Sequence, residues 1–307
     1  MFSKRFIIQK IVLLIALYFV STMTICSDNL DSFKEWISEK KGINRKVSPV
    51  STVSICSDNP DNFKEWISEA RNEAIKKGIN IKIVNDIFSN LEYSFKTIEL
   101  DRKQTIFKLS FDEFLKKVSA ASVIENGKSM KRKYSDFLKK VEKNYGVSPG
   151  VLMALWGLES KFGTKKGTIN TLSALATLSY DCRRSKLFTE QFFTAVSLVN
   201  NGTISIDSIG APHGEIGQFQ FLPTNVERFA VDADGDGKAD VVNSNLDAIE
   251  SAANFLKKSG WNAMYGYQPQ EPNFKILNRW NASMVYKKTV AYIAANIDGL
   301  KIKDVYE

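Results

Sequence analysis

The stretch Ser148-Pro149-Gly150-Val151-Leu152-Met153-Ala154-Leu155-Trp156-Gly157-Leu158-Glu159-Ser160 carries the reading of the fold. Ser148 and Pro149 open a helix: one offers a side-chain cap, and the other needs no amide partner in the first turn. Val151 to Trp156 is then apolar without a break. Helical signals continue on both sides. Upstream, Ser129 to Tyr145 reads as one basic amphipathic helix stopped by Gly146, and Ser110 with Glu113 forms a capping box ahead of Phe111. Asn59-Pro60-Asp61 starts a helix with Phe63, Trp66, Ile67 and Ala70 on one face. Downstream, helical patterns cover 172–178, 186–199, 248–258 and 285–296, whereas 97–109 is less regular. There is no alternation of strand and helix. The expected fold is mainly α, built of many short helices.

The chain has 307 residues, 44% hydrophobic and 25% charged, which excludes a disordered, collagen-like or low-complexity protein. Only seven residues are proline, well below the usual ~5%. The net charge of +8 suits nucleic acid, anionic lipid or an acidic wall polymer. The basic residues are dispersed and no recognition motif is present, so nucleic acid is not an expected partner. His213 is the sole histidine, which excludes a poly-His zinc centre and leaves a Ser-His-Asp triad only with His213 as its base.

Lys4, Arg5 and Lys10 precede an apolar run over 11–20, followed by Ser21, Thr22 and Thr24. This is the layout of a secretory signal over residues 1–26; an uncleaved signal acting as an anchor is the alternative. Residues 21–39 and 51–69 repeat one another with four differences in 19 positions. The repeat reads as a tandem duplication, its first copy a tether over 27–57. Cysteines 26, 56 and 182 make no metal spacing. Should Cys26 leave with the signal, Cys56 and Cys182 remain free to pair outside the cytoplasm, and the sequence does not decide it.

Three places carry chemistry. Glu159 sits among Trp156, Leu158 and Phe162, where lost solvation raises a carboxyl pKa toward that of a general acid. A glutamate pointing into water or paired with Lys161 is the plainer reading. Asp232, Asp234 and Asp236 with Gly237 form the first half of an EF-hand loop, in which Lys238 offers its carbonyl. Position 12 is Asn243, so Asp247 is the nearest carboxylate to close a longer loop; a solvated acidic turn is the alternative. Gly214-Glu-Ile-Gly-Gln-Phe-Gln-Phe-Leu-Pro223 combines glycines, amides and rings that suit a sugar groove, and equally a buried turn.

In order, these pieces resemble the lytic murein transglycosylases of the membrane-bound B type, from about Ile98 to the C-terminus. The markers are Ile98-Glu-Leu-Asp-Arg102, Tyr145-Gly-Val-Ser-Pro149, Trp156-Gly-Leu-Glu-Ser160 and Ala174 to Tyr180 with Arg183-Arg184. Gly217 to Pro223, Ala230 to Gly237, Gly260-Trp261 and Asn281-Ala-Ser283 with Tyr286 follow. The resemblance implies a lysozyme-like helical domain with helical flanking regions, making residues 58–307 the catalytic region. It implies cleavage of the β-1,4 bond between N-acetylmuramic acid and N-acetylglucosamine in peptidoglycan, with 1,6-anhydro ends. Glu159 would be the catalytic acid and base, and Arg183, Arg184, Gln220, Phe221, Asn281 and Tyr286 would line the groove. The aspartate loop would be a structural calcium site, and no organic cofactor is implied. Location follows: periplasmic or exported, with membrane anchoring through an uncleaved signal as the variant.

One stretch departs from the family. Relatives carry Ser-Trp-Ala-Gly-Ala-Met-Gly where this chain has Ala211-Pro-His-Gly-Glu-Ile-Gly217. A serine thought to lie beside the catalytic glutamate is missing, and Glu215 adds an acid. A hydrolytic muramidase would need a carboxylate opposite Glu159, for which Glu215 and Asp181 are the candidates. A weakened wall-binding protein is the other alternative, and the retained motif around Glu159 argues against it.

Overall fold

The structure, a computed structural model, describes residues 56–103 and 109–306. The expected signal and the first repeat copy lie outside them. Helices α1 (Phe63–Lys76), α2 (Ile81–Phe88) and α3 (Phe95–Arg102) come first, followed by α4 (Phe111–Lys117), α5 (Ala120–Lys133) and α6 (Ser135–Tyr145). Then come α7 (Pro149–Ser160), α8 (Thr171–Tyr180), α9 (Ser185–Asn200) and α10 (Pro223–Phe229). The chain ends with α11 (Asn245–Lys258), α12 (Pro272–Ile276) and α13 (Met284–Asp298). The mainly α expectation holds.

The apolar helix α7 is the axis of the molecule. Helices α13 and α5 pack along it, α6 and α11 touch it as well, and every residue from Pro149 to Gly157 is buried. Such a helix must be surrounded, because it has no polar face to give to water. Its start is fixed as read: the Ser148 hydroxyl accepts from Val151 N–H, with Pro149 in the first turn. Gly157 lets α5 and the chain beyond α7 close in, since a Cβ there would lie 2.5 Å from Val123 Cγ1 and 2.8 Å from Phe162 Cζ. Helices α8 and α9 form a second tight pair, joined to α1 through Trp66, Tyr180 and Phe192.

Two local expectations change. The helix expected over Ser129–Tyr145 is two helices that meet at Tyr134. That residue leaves helical geometry (φ −104°, ψ 22°), its ring meets Trp156 at 5.9 Å, and its hydroxyl accepts from Asn245 at 2.8 Å. Tertiary packing thus overrides an unbroken amphipathic pattern. The less regular stretch contains α3, started by the Ser94 hydroxyl accepting from Thr97 N–H. Two short strands, β1 (Ile169–Asn170) and β2 (Ile209–Gly210), pair antiparallel and hold the 211–217 loop beside α8. A disulfide joins Cys56 to Cys182 just beyond α8. Among the described residues, no helix is long and apolar enough to cross a membrane.

Candidate active site

Glu159 occupies the last turn of α7, half-buried. The helix stops abruptly beyond it, with Lys161 and Phe162 both left-handed (φ 49° and 59°). Such conformations cost non-glycine residues energy and occur where surrounding structure enforces them. Here the Phe162 ring packs edge-on against Trp156 at 5.5 Å, and Ser160 Oγ accepts from Gly163 N–H at 2.9 Å. Glu159 Oε1 accepts from Trp280 Nε1 at 2.9 Å and from the Tyr286 hydroxyl. Burial pushes the Glu159 carboxyl up to about 7, against a downward pull from those two donors and with an added upward push from Glu215. The Tyr286 hydroxyl rises as well, through its own burial and the nearby carboxylate. A carboxyl poised there can give and take a proton near neutral pH. No bond to Lys161 holds it, contrary to the plainer reading.

The 217–223 segment supports this carboxyl from beneath. Gly217 (φ 75°) lies against the main chain, where a Cβ would meet Val241 O at 2.4 Å. Buried Gln218 accepts from Trp156 Nε1 at 2.9 Å and donates to Asn245 Oδ1 at 2.9 Å, tying α7 to α11. Gln220 is half-buried and left-handed (φ 50°), donating to Gly217 O at 2.6 Å. Phe221 corrects the expectation that it lines the groove. At 3% exposed it lies under Trp280 (5.4 Å) and beside Phe255 (6.1 Å), where a ligand cannot reach it. It supports the ring that donates to Glu159. Trp280 itself escaped the sequence reading, although it directly precedes Asn281; only tertiary contact reveals its role. Asn281 is half-buried and caps the turn into α13 by accepting from Ser283 N–H at 2.8 Å.

Arg183 and Arg184 converge on Asp101, which is 1% exposed and accepts from both guanidinium groups. Burial alone would raise the Asp101 carboxyl, but the two arginines outweigh it and hold the carboxyl below its ordinary range. Arg102 bridges to Asp181 with two bonds of 2.6 and 3.3 Å. Asp181 also accepts from Arg183 N–H at 3.0 Å. That carboxylate is fully committed to holding arginines, so it is not free to act opposite Glu159. Each arginine keeps a third or more of its side chain exposed and so still presents charge.

In the acidic loop, Asp232, Asp234 and Asp247 bring carboxylate oxygens within 4.8 Å of one another. Asp247 is fully buried and accepts from Ala233 N–H and Asp240 N–H, both at 2.8 Å. Asp232 accepts from Gly235 N–H at 2.7 Å and Gly237 N–H at 2.9 Å. Asp236 is not part of this trio: its carboxylate turns to Lys238 N–H at 2.8 Å. Lys238 is exposed. An oxygen-only set of converging carboxylates, one of them buried, fits a hard cation such as calcium.

A buried helix delivering one proton-active carboxyl to a floor of rings and amides is the arrangement of a helical glycan-cleaving domain. Residues 62–270 match the family described as Transglycosylase SLT domain, and the chain belongs to that family. Over 150 residues it is 31% identical to the membrane-bound lytic murein transglycosylase B of Escherichia coli K12; the match spans 48% of this chain and 41% of that protein. SltB3 from Pseudomonas aeruginosa, solved with NAG-NAM-pentapeptide, has a similar structure: TM-score 0.73 and 26% identity, covering 77% of this chain and 80% of that one. The Escherichia coli lytic transglycosylase Slt35, solved with calcium, shares the fold at TM-score 0.67 and 23% identity, over 82% and 98% of the two chains.

Proposed function

We propose that this chain is a peptidoglycan lytic transglycosylase that cleaves the β-1,4 bond between N-acetylmuramic acid and N-acetylglucosamine. The observation that carries the reading is Glu159 itself, a carboxyl raised by burial to about 7 and held by Trp280 and Tyr286. The glycan peptide bound by the related SltB3 supports the substrate class. Protonated Glu159 donates to the leaving glycosidic oxygen as the C1–O bond breaks. The resulting carboxylate then takes the proton of the muramyl 6-hydroxyl as that oxygen bonds to C1. Glu159 ends protonated, no water is consumed, and one carboxyl serves both steps because the nucleophile belongs to the substrate. Trp280 and Tyr286 fix the carboxyl orientation, and their hydrogen bonds favour the ionised form between the two steps. Arg183, Arg184, Gln220 and Asn281 are assigned to the groove.

Asp232, Asp234 and Asp247, with the Asp236 segment and the Lys238 carbonyl, would hold calcium; bound there, the ion supplies cross-linking of the loop to α11. Action on the wall requires export. The signal layout at residues 1–26 and the Cys56–Cys182 disulfide support an oxidising location outside the cytoplasm. Residues 27–57 are then the tether and 58–307 the catalytic region.

The test is Glu159→Gln on purified peptidoglycan, with products read by mass spectrometry. The wild type should release 1,6-anhydro ends. The variant should lose at least the ~10²–10⁴-fold that acid–base catalysis contributes. Wild-type-like release by the variant would overturn the assignment, and reducing ends alone from the wild type would indicate a muramidase.

A further inference from the structure

The basic residues are spread along the chain, but the acids that offset them are not. Between positions 128 and 143, seven lysines and arginines stand against two acids, so this short span carries +5 of the net +8. It covers the end of α5 and most of α6. Leu138 and Val141 bury the inner side of α6, and Lys139, Lys140 and Lys143 stand exposed on it as neighbours within one turn. Asp136 meets Lys139 at 3.1 Å, but both side chains are largely exposed, and such a pair gives way readily to another anion. The loop after α11 closes over the far end of the same helix. Trp261 Nε1 donates to Gly146 O at 2.9 Å, and a Cβ on Gly146 would lie 2.8 Å from Ala263 Cβ. That loop holds Met264 and Tyr265 out in water, the first 85% exposed and the second 53%. Leu300, 49% exposed, shares with Tyr267, Leu138 and Lys139 the lining of one cavity of about 460 Å³.

Lysines and large apolar side chains set side by side on an exposed surface are the mixture that an anionic bilayer binds. The cations meet lipid headgroups, while methionine, tyrosine and leucine enter the interfacial layer and leave water. We propose that this face, built from α6, the 261–267 loop and Leu300, docks the domain on an anionic lipid surface. A soluble polyanion would engage the lysines and leave Met264, Tyr265 and Leu300 in water. Lipid is the partner that uses both halves of the patch. Ser148 and Pro149, at the start of α7, line the same cavity, whereas Glu159 lies in the last turn of that helix. At 1.5 Å per residue, about 15 Å of helix separates Pro149 from Glu159. A bilayer at the basic end therefore leaves the carboxyl clear of the headgroups. The docking is separate from residues 1–26, whose apolar run would anchor by insertion.

The experiment measures binding of the full chain to vesicles by flotation. One set contains one part phosphatidylglycerol to two parts phosphatidylcholine; the other is phosphatidylcholine alone. The first variant combines Lys139→Gln, Lys140→Gln and Lys143→Gln, and the second combines Met264→Ser and Tyr265→Ser. Residues 1–26 are the same in every protein, so differences between variants report the patch. A lysine near an anionic surface contributes roughly fivefold to binding, so the triple variant should bind anionic vesicles about a hundredfold more weakly. Its binding to neutral vesicles should not change. The Met264 and Tyr265 variant should lose about tenfold on anionic vesicles. All the changed side chains are exposed, so melting temperatures and cleavage of soluble glycan fragments should match the wild type. Unchanged binding of the triple variant to anionic vesicles would overturn the proposal. So would wild-type binding by the Met264 and Tyr265 variant, which would make the face a site for a soluble acidic polymer instead.

Discussion

At the scale of single residues, the fold bears a cost at Glu159 for the proton it keeps. A glutamate in the unfolded chain ionises near 4.5, while burial holds the folded one to about 7. Below the lower value both states are protonated and nothing is lost. Between the two the unfolded state gives up its proton and the folded state does not, so stability falls as pH rises and stays lower above 7. At 1.36 kcal/mol per unit the gap amounts to roughly 3 kcal/mol. Glu159→Gln should therefore be inactive yet more stable than wild type by up to about 3 kcal/mol at pH 8, and equal to it at pH 4. Its amide oxygen still accepts from Trp280 and Tyr286. Urea unfolding at the two pH values measures this; equal stability at pH 8 would mean that burial imposes no such cost. Part of the environment was legible in the sequence, because Trp156, Leu158 and Phe162 lie within three residues of Glu159. Its two donors, more than a hundred residues downstream, were not, since proximity across the fold leaves no periodic trace.

Among the elements, those governed by local chemistry were legible and those governed by neighbours were not. Ser110, Ser148 and Gly146 mark helix ends where side-chain caps or a left-handed residue act within a single turn. The break at Tyr134 depends on Trp156 and Asn245, far away in sequence, and its own pattern runs on undisturbed. The acidic loop is intermediate. Its spacing pointed to Asp232, Asp234 and Asp236 and offered Asp247 as the nearest carboxylate to close a longer loop. The oxygens that converge are those of Asp232, Asp234 and buried Asp247, at the third position of α11 and held by backbone amides on both oxygens. Asp236 turns instead to its own backbone neighbour. With calcium at a hundred times its dissociation constant, binding to the folded state alone contributes about 2.7 kcal/mol. Chelator should lower the melting temperature, and Asp234→Ala should abolish that response without touching Asp247. Magnesium should restore it poorly, because that ion resists irregular coordination by many protein oxygens. Identical melting curves with calcium and with chelator would identify the loop as a solvated acidic turn.

Across the whole molecule, the Cys56–Cys182 bond joins positions 126 residues apart. It ties the start of the described chain to the loop between α8 and α9, the loop that presents Arg183 and Arg184. Beside the bond, Ser57 N–H donates to Tyr180 O at 2.9 Å, and the Tyr180 hydroxyl donates to Asn59 O. Closing so long a loop removes unfolded-chain entropy worth about 5 kcal/mol in the chain-entropy account, and loss of native disulfides costs about 2–5 kcal/mol in practice. The packing of Phe63 and Trp66 against Tyr180 remains when the bond is gone, so the fold itself should survive. Cys56→Ser with Cys182→Ser should therefore unfold cooperatively at a melting temperature lower by about 5–15 °C, with product release at 25 °C retained. A reducing agent should lower the wild-type transition by the same amount and leave the double variant unmoved. An unchanged transition in both cases would show that α1 is held by its aromatic contacts alone. It would also remove the disulfide from the argument for an oxidising compartment, leaving that location to rest on the charged and apolar pattern of residues 4–24.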